Sequence, residues 1–241
     1  MDGQETPRAM ADVWAGRLLV ASVVALIIIV LYFAARRLIL GADRFTIENT
    51  KPIVSTIDGI PYRVHEAHLG PQKAADTLAK LNGRVIDVLR HLRNRYLRGP
   101  PMPGTEERVA ATKRLLARYN PDNLAENSPQ DPTGDTAYSL DKGAIVAICL
   151  RDRGTPRNGA APNAIHDLST LTFVTLHEMS HIAIDEIDHP KKFWETFKWL
   201  LEEAEQAGIY TSPDYSLGSA RYCGMDVNYN PRYDGNTEAI M

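Results

Sequence analysis

The chain has 241 residues, enough for one good hydrophobic core with appendages. Hydrophobic residues make up 44% and charged residues 24%, which excludes a disordered chain. The net charge of −3 and the lack of a basic tract argue against a nucleic-acid footprint. The two cysteines, Cys149 and Cys223, are too far apart for a Cys-x-x-Cys zinc knuckle.

Residues 1–16 read as a polar N-terminal tail. Leu18 to Ala35 is then a run of 18 uncharged residues, bounded by Arg17 and by Arg36-Arg37. As a helix it would be about 27 Å long, close to the hydrocarbon core of a bilayer. Leu38-Ile39-Leu40 can extend it while the arginines snorkel. A secretory signal peptide fits less well, because the preceding tail is net acidic and such peptides begin basic. A transmembrane helix is therefore expected over 17–40. Arg36, Arg37 and Arg44 after the segment, against Arg8 and Arg17 before it, lean toward a cytosolic C-terminal domain and a single-pass membrane protein. Reduced thiols would follow from that orientation, and a disulfide from the opposite one.

Residues 41–70 read as a juxtamembrane linker, with short strands expected at Thr46-Ile47, Ile53-Val54 and Tyr62-Arg63-Val64. Ala74, Leu78, Leu81, Val85, Val88, Leu89 and Leu92 recur at helical spacing, so 71–98 is expected to be a long amphipathic helix with a solvated basic face. After the break at 99–104, Thr105 is expected to cap a helix over about 106–119. Residues 120–137 read as a loop, and the apolar, β-rich run Ala144–Leu150 as a strand. A loop over 151–166 follows. Asp167 or Ser169 then caps a helix, Pro190 starts another that ends at Gly208, and a tyrosine-rich tail closes the chain.

The first of these two helices carries His177-Glu178-Met179-Ser180-His181. Residues i and i+4 share a helix face about 6 Å apart, so both imidazoles can reach one Zn²⁺. Glu178 is placed to act as general base on a zinc-activated water. A surface helix with two solvated histidines would spell the same letters. Here Leu168, Leu171, Val174, Leu176, Met179 and Ile182 give the segment a wide apolar surface, as in a buried helix whose polar side chains need partners. A catalytic zinc takes three protein ligands. Asp185 on a continuing helix would lie about 12 Å along the axis from His177, too far to share the metal. His189, set before Pro190 and so outside the helix interior, is favoured as the third ligand; Glu195 on the next helix is the alternative. His65, His68, His91 and His166 lack such spacing and read as surface or packing residues.

The motif, followed by His189 and Phe193-Trp194, resembles the WLM-type and SprT-like zinc metallopeptidases, and in particular a membrane-anchored group seen in large DNA viruses and algae. Tyr138-Ser-Leu-Asp-Lys142-Gly143 running to Cys149-Leu-Arg151, Phe193 to Leu201 with Gly208-Ile-Tyr210, and Tyr222-Cys223-Gly224-Met225 carry the same likeness, which covers about 138–226. The resemblance implies an α+β fold: a zincin-like catalytic domain over 71–241, with helices packed on a small sheet, after the N-terminal transmembrane helix. It implies zinc ligation by His177, His181 and His189, and no particular substrate. The chain departs from the family pattern at Asp188, where a glycine is expected before the third histidine.

The expected activity is zinc-dependent hydrolysis of a protein or peptide near a membrane. Ala144–Ile148 is expected to be the edge strand that pairs with an extended substrate. Tyr210, Tyr215, Arg221 and Tyr222 are candidate oxyanion donors. The alternatives are a non-catalytic membrane scaffold that keeps the zinc fold, and a zinc amidohydrolase acting on a non-peptide substrate.

Overall fold

The computed structural model describes residues 17, 22–24, 27, 47, 49–127, 136–152 and 164–234. The chain divides into two compact units, Met1–Thr46 and Ile47–Met241. In the first unit the described residues Arg17, 22–24 and Ile27 are helical, and the rest of the expected tail and apolar segment lies outside the described residues. Among the described residues no helix is long and apolar enough to cross a membrane. This overturns the expected transmembrane helix over 17–40, and with it the single-pass localisation and the cytosolic domain inferred from it.

The second unit is α+β. Its elements in chain order are β1 (Thr50–Val54), β2 (Pro61–His65), α1 (Pro71–Arg93) continuing into a π turn (Asn94–Arg98), α2 (Glu106–Arg118), a 3₁₀ turn (Pro121–Asn123), β3 (Leu124–Glu126), β4 (Ala137–Leu140), β5 (Ile145–Ile148), α3 (Leu168–Ala183), α4 (Lys191–Gln206), β6 (Ala220–Tyr222) and β7 (Met225–Val227). Five strands form one mixed sheet in the order β1-β2-β3-β5-β4, and β6 pairs with β7. β1 runs antiparallel to β2, β2 parallel to β3, β3 parallel to β5, and β4 antiparallel to β5 with Tyr138 opposite Ala147.

Each helix follows from its sequence. Pro71 opens α1 at its first position, and the residues expected inward from Ala74 to Leu92 are all buried. α2 forms where expected, but the Thr105 hydroxyl donates to the Met102 carbonyl at 2.6 Å instead of capping the helix. Asp167 caps α3, its carboxylate accepting from the Thr170 amide at 2.9 Å. Gly208, at φ +67°, follows the last turn of α4. The basic face of α1 is not wholly solvated. Arg84 donates to Thr172 Oγ1 at 2.5 Å, and Arg95 pairs with Glu203 at 3.5 Å.

The short strands expected at Ile53-Val54 and Tyr62-Arg63-Val64 form, as parts of β1 and β2, a hairpin at one side of the sheet. One strand expectation needs correction. The expected edge strand, Ala144–Ile148, contains β5, which lies between β3 and β4 with all four residues buried. A strand covered on both faces reads as an unbroken apolar run, so the hydrophobicity of this stretch signals an interior position. The edge on this side of the sheet is β4, a partly exposed strand.

The three-residue β3, inside the stretch expected to be a loop, is held by a buried ion pair. Glu126 accepts from Arg151 Nε at 2.7 Å and from the His65 amide at 2.9 Å, which ties β3 to β2 and to the chain after β5. Arg151 also donates to the Leu69 carbonyl at 2.9 Å. Cys149, just after β5, forms a disulfide with Cys223 in the β6–β7 turn, with a Cα–Cα separation of 6.3 Å. The reduced thiols expected from a cytosolic orientation are therefore not what the structure has.

Removing one partner of a buried ion pair strands the other charge in a medium that cannot solvate it. Arg151→Met is expected to cost about 3–5 kcal/mol of unfolding free energy, read from the urea midpoint at constant slope. A loss below about 1 kcal/mol would show that the pair does not hold β3 in the sheet.

Candidate functional site

α3 is the central helix of the second unit. It touches α1, α2, α4, β4 and β5. Leu171, Phe173, Leu176, Met179, Ile182 and Ala183 are buried, as the apolar pattern requires. The hydroxyls of Thr172, Thr175 and Ser180 donate back to carbonyls four residues earlier, at 2.6–2.8 Å, so the buried helix carries few unmet polar groups. His177, Glu178 and His181 line a cleft beside β4.

The chain leaves α3 at Ile184 and returns at α4, and the turn between them delivers His189. His189 Nε2 and His177 Nε2 lie 3.1 Å apart, and one ring nitrogen from each of His177, His181 and His189 falls within 4.8 Å of the others. Nitrogens bound tetrahedrally to zinc at about 2.0–2.1 Å would sit about 3.3 Å from one another. The trio is thus near ligating separation. Two ring nitrogens at 3.1 Å need a proton or a cation between them, since two lone pairs would repel. The donor set fits a divalent metal.

The floor of the site is aromatic. Phe193, fully buried at the start of α4, lies 4.7, 4.3 and 4.5 Å from the ring centroids of His177, His181 and His189. Trp194 packs 5.7 Å from His189, and Phe197 5.3 Å from His177. This dry floor sets the charge state of the rings. Burial, and then proximity to the other two histidines, holds His177 well below the usual histidine range. Burial, with His189 and Lys142 nearby, lowers His181 to about 4. Burial also lowers His189, against the opposing pull of the Asp188 carboxylate. All three rings are neutral near pH 7, the form that ligates metals.

The cleft has a volume of about 490 Å³ and is lined by Ala137, Tyr138 and Ser139 of β4, by Asp141 and Lys142 of the β4–β5 turn, by His177, Glu178 and His181, and by Ile187, Asp188 and His189. Glu178 is 3% exposed, so its carboxylate is held against the protein at the cleft wall. Glu195, the alternative third ligand, is exposed and lines a separate groove with Glu107 and Lys192, away from the histidines. The other candidates also lie elsewhere. Tyr210 and Tyr215 are buried, Tyr215 packing on Phe173. Arg221 pairs with Asp152 at 2.8 Å, and Tyr222 packs on His166. His65 is buried next to His68, His91 meets Glu203 at 2.8 Å, and His166 accepts from the Cys223 amide at 3.1 Å. Sequence reasoning missed Ile187, which is 81% exposed on the cleft wall, in the turn that carries His189. An apolar residue between two acidic ones beside His189 was the available signal. Sequence reasoning also assigned no role at the site to Tyr138 and Ser139, because it placed the edge on β5.

Asp188 accounts for the departure from the expected glycine. Its φ is +61°, in the left-handed region that glycine fills without cost and that Asp and Asn tolerate better than other side chains. The turn therefore keeps its shape without glycine. Asp188→Gly is expected to leave zinc affinity unchanged. Asp188→Val, β-branched at a positive φ, is expected to cost about 1–3 kcal/mol of stability and to weaken zinc binding, read by denaturation and by competition with a metal-sensitive dye. Equal zinc affinity for the Val and Gly variants would mean that this backbone angle does not place His189.

No family model matches the chain, and no solved structure matches it. Three viral proteins, each named as uncharacterized, are similar to parts of it. One from Acanthamoeba polyphaga mimivirus is 36% identical over 105 residues, covering 44% of this chain and 49% of that protein. One from Invertebrate iridescent virus 6 is 32% identical over 111 residues, 46% of this chain and 57% of that protein. One from Invertebrate iridescent virus 3 is 29% identical over 141 residues, 52% of this chain and 83% of that protein. The chain thus spans about half the length of the first two.

Proposed function

We propose that the chain is a zinc-dependent metallopeptidase, a zincin of the WLM and SprT-like kind, with His177, His181 and His189 as the metal ligands and Glu178 as general base. The observation that carries this reading is the convergence of three neutral imidazoles in one cleft with a buried glutamate. A purely structural metal site has no use for that carboxylate, which counts against the scaffold alternative.

Bound zinc supplies a Lewis acid that lowers the pKa of water toward 7 and polarises a carbonyl. The chain's own residues do the rest. Glu178 accepts a proton from the water that attacks the scissile carbonyl carbon. As the C–N bond breaks, the same carboxylic acid gives that proton to the leaving amine. Water is consumed, and a carboxylic acid and an amine are released.

Substrate is held by β4. Among the described residues no strand pairs with its outer side. An extended peptide can add there as a further strand, with its carbonyls presented to the cleft. Tyr138 and Ser139 on this strand carry hydroxyls at the cleft and replace the tail tyrosines as candidate oxyanion donors. An open groove along an edge strand suits a polypeptide better than a compact amide, so a peptide is preferred to the non-peptide substrate.

The test uses the full chain, with zinc content measured by atomic absorption and turnover by release of fluorescent peptides from an unfolded protein. Glu178→Gln is expected to retain one zinc and to lose activity by a factor of about 10² or more. His181→Ala is expected to lose both zinc and activity. Equal turnover by the wild type and Glu178→Gln would reject the peptidase reading.

A further inference from the structure

The last four carbonyls of a helix, here Ser180 to Ala183, have no amide partner from a following turn. Many helices meet this need with a left-handed residue, often glycine, that folds the chain back on itself. α3 does not. Ile184 after it is extended, at φ −113° and ψ 163°. Three cationic side chains from other elements take over. Arg114 Nε donates to the Ala183 carbonyl at 2.5 Å. Arg118 Nη1 donates to the Ile182 and Ile184 carbonyls at 3.0 and 3.2 Å. Lys142 Nζ donates to the His181 carbonyl at 3.3 Å and to the Glu186 carbonyl at 2.6 Å.

Lys142 differs from the arginines in what it joins. Its ammonium reaches one metal-ligand candidate, His181, and the middle of the turn that carries another, His189. The backbone around it is arranged for this contact. Asp141 and Lys142 both have positive φ, at +43° and +56°, and Gly143 follows at +107°. A Cβ on Gly143 would meet the Arg118 carbonyl oxygen at 3.0 Å and Ile182 Cδ1 at 3.3 Å. The β4–β5 turn is therefore pressed against the end of α2 and the Ile182 side chain of α3. A lysine held in the left-handed region is strained, and such strain persists where the surrounding contacts hold it in place. On the far side of the turn, the Glu186 carboxylate meets Lys192 Nζ at 3.0 Å. Asp185 meets Arg118 at 2.5 Å. The turn is thus tied at 184, 185 and 186, and His189 follows three residues later.

We propose that Lys142 is a positioning residue for the metal centre: by bridging the His181 and Glu186 carbonyls it fixes the turn that holds His189 in the place of the third ligand. Lys142 also lines the cleft, but its ammonium is spent on these carbonyls, so its role is exerted through His189 and not on substrate. The inference rests on the metal reading above and adds a residue to it.

The experiment uses the full chain, stripped of metal, in four forms: wild type, Lys142→Gly, Lys142→Arg and His189→Ala. Glycine is chosen because it relieves the positive φ while removing the ammonium, so folding is protected. Thermal midpoints are recorded for each. Cobalt(II) is then titrated in and its visible absorption followed. Amide exchange over 184–189 is measured on the metal-free proteins. Lys142→Gly is expected to bind cobalt about 10–100-fold more weakly, with its spectrum shifted toward that of His189→Ala. Exchange over 184–189 is expected to rise about tenfold or more while that of α1 and α2 stays unchanged. Lys142→Arg is expected to recover cobalt affinity to within about threefold of wild type. A lower thermal midpoint with wild-type cobalt affinity and spectrum would assign Lys142 to stability alone and overturn the proposal. If wild type itself binds no cobalt, the metal reading fails. The exchange measurement then decides alone: unchanged protection in Lys142→Gly removes the positioning role, and lost protection keeps it as a property of the turn.

Discussion

The structure depends on the burial of α3. A helix covered by three other helices and two strands has little surface on which to place polar side chains. Its hydroxyls are absorbed by its own backbone, and its imidazoles and carboxylate are left with one outlet, the cleft beside β4. Desolvation at that outlet disfavours imidazolium, so the rings stay neutral. Neutral rings at close range are what a divalent cation requires. The aromatic floor made by Phe193 supplies the desolvation and fixes the rings from below. Packing and ligand chemistry are here one requirement.

The sheet serves the same site by its order. β2, β3 and β5 are parallel neighbours, and β4 is added antiparallel on the outside, next to the histidines. The start of β4 is anchored at the Thr136 carbonyl. This oxygen accepts from the Cys149 amide at 3.0 Å, from Asn127 Nδ2 at 3.2 Å and from the Tyr222 hydroxyl at 3.4 Å. The Cys149–Cys223 disulfide holds the segment that carries Tyr222 in place. An edge strand that must present its backbone to a partner gains from fixed ends, because less freedom is lost when the partner pairs.

What the sequence disclosed follows the range of the forces involved. α3, its Asp167 cap and the His177–His181 pair depend on residues within a few turns of each other, and they are plain in the letters. His189 was reachable because Pro190 marks a helix start and so places the histidine in a turn. Other features depend on partners far along the chain. β3 is three residues with a buried glutamate, and nothing local marks it as a strand; its partner Arg151 lies 25 positions on. The exchange of roles between β4 and β5 was legible in principle, since four buried apolar residues in a row denote an interior strand. The apolar run at 18–35 shows the reverse error: hydropathy alone indicated a membrane span, and no helix among the described residues is long and apolar enough for one. Asp188 at φ +61° shows that a missing glycine need not mean a missing turn.

The β4–β5 turn brings these threads together. One strand leading into it is the edge that an extended chain would pair with. Its tip carries the ammonium that ties His181 to the turn before His189. Gly143 packs closely against the end of α2 and the Ile182 side chain of α3. A displacement of β4 along the sheet normal would therefore move the Lys142 bridge, and the bridge would move the third imidazole. Substrate pairing and metal geometry, in the reading proposed here, are not independent properties of two neighbouring sites. They share a turn of three residues, each with a positive φ, and a fold that keeps three consecutive residues there has set a backbone cost against the rigidity of its ligand cluster.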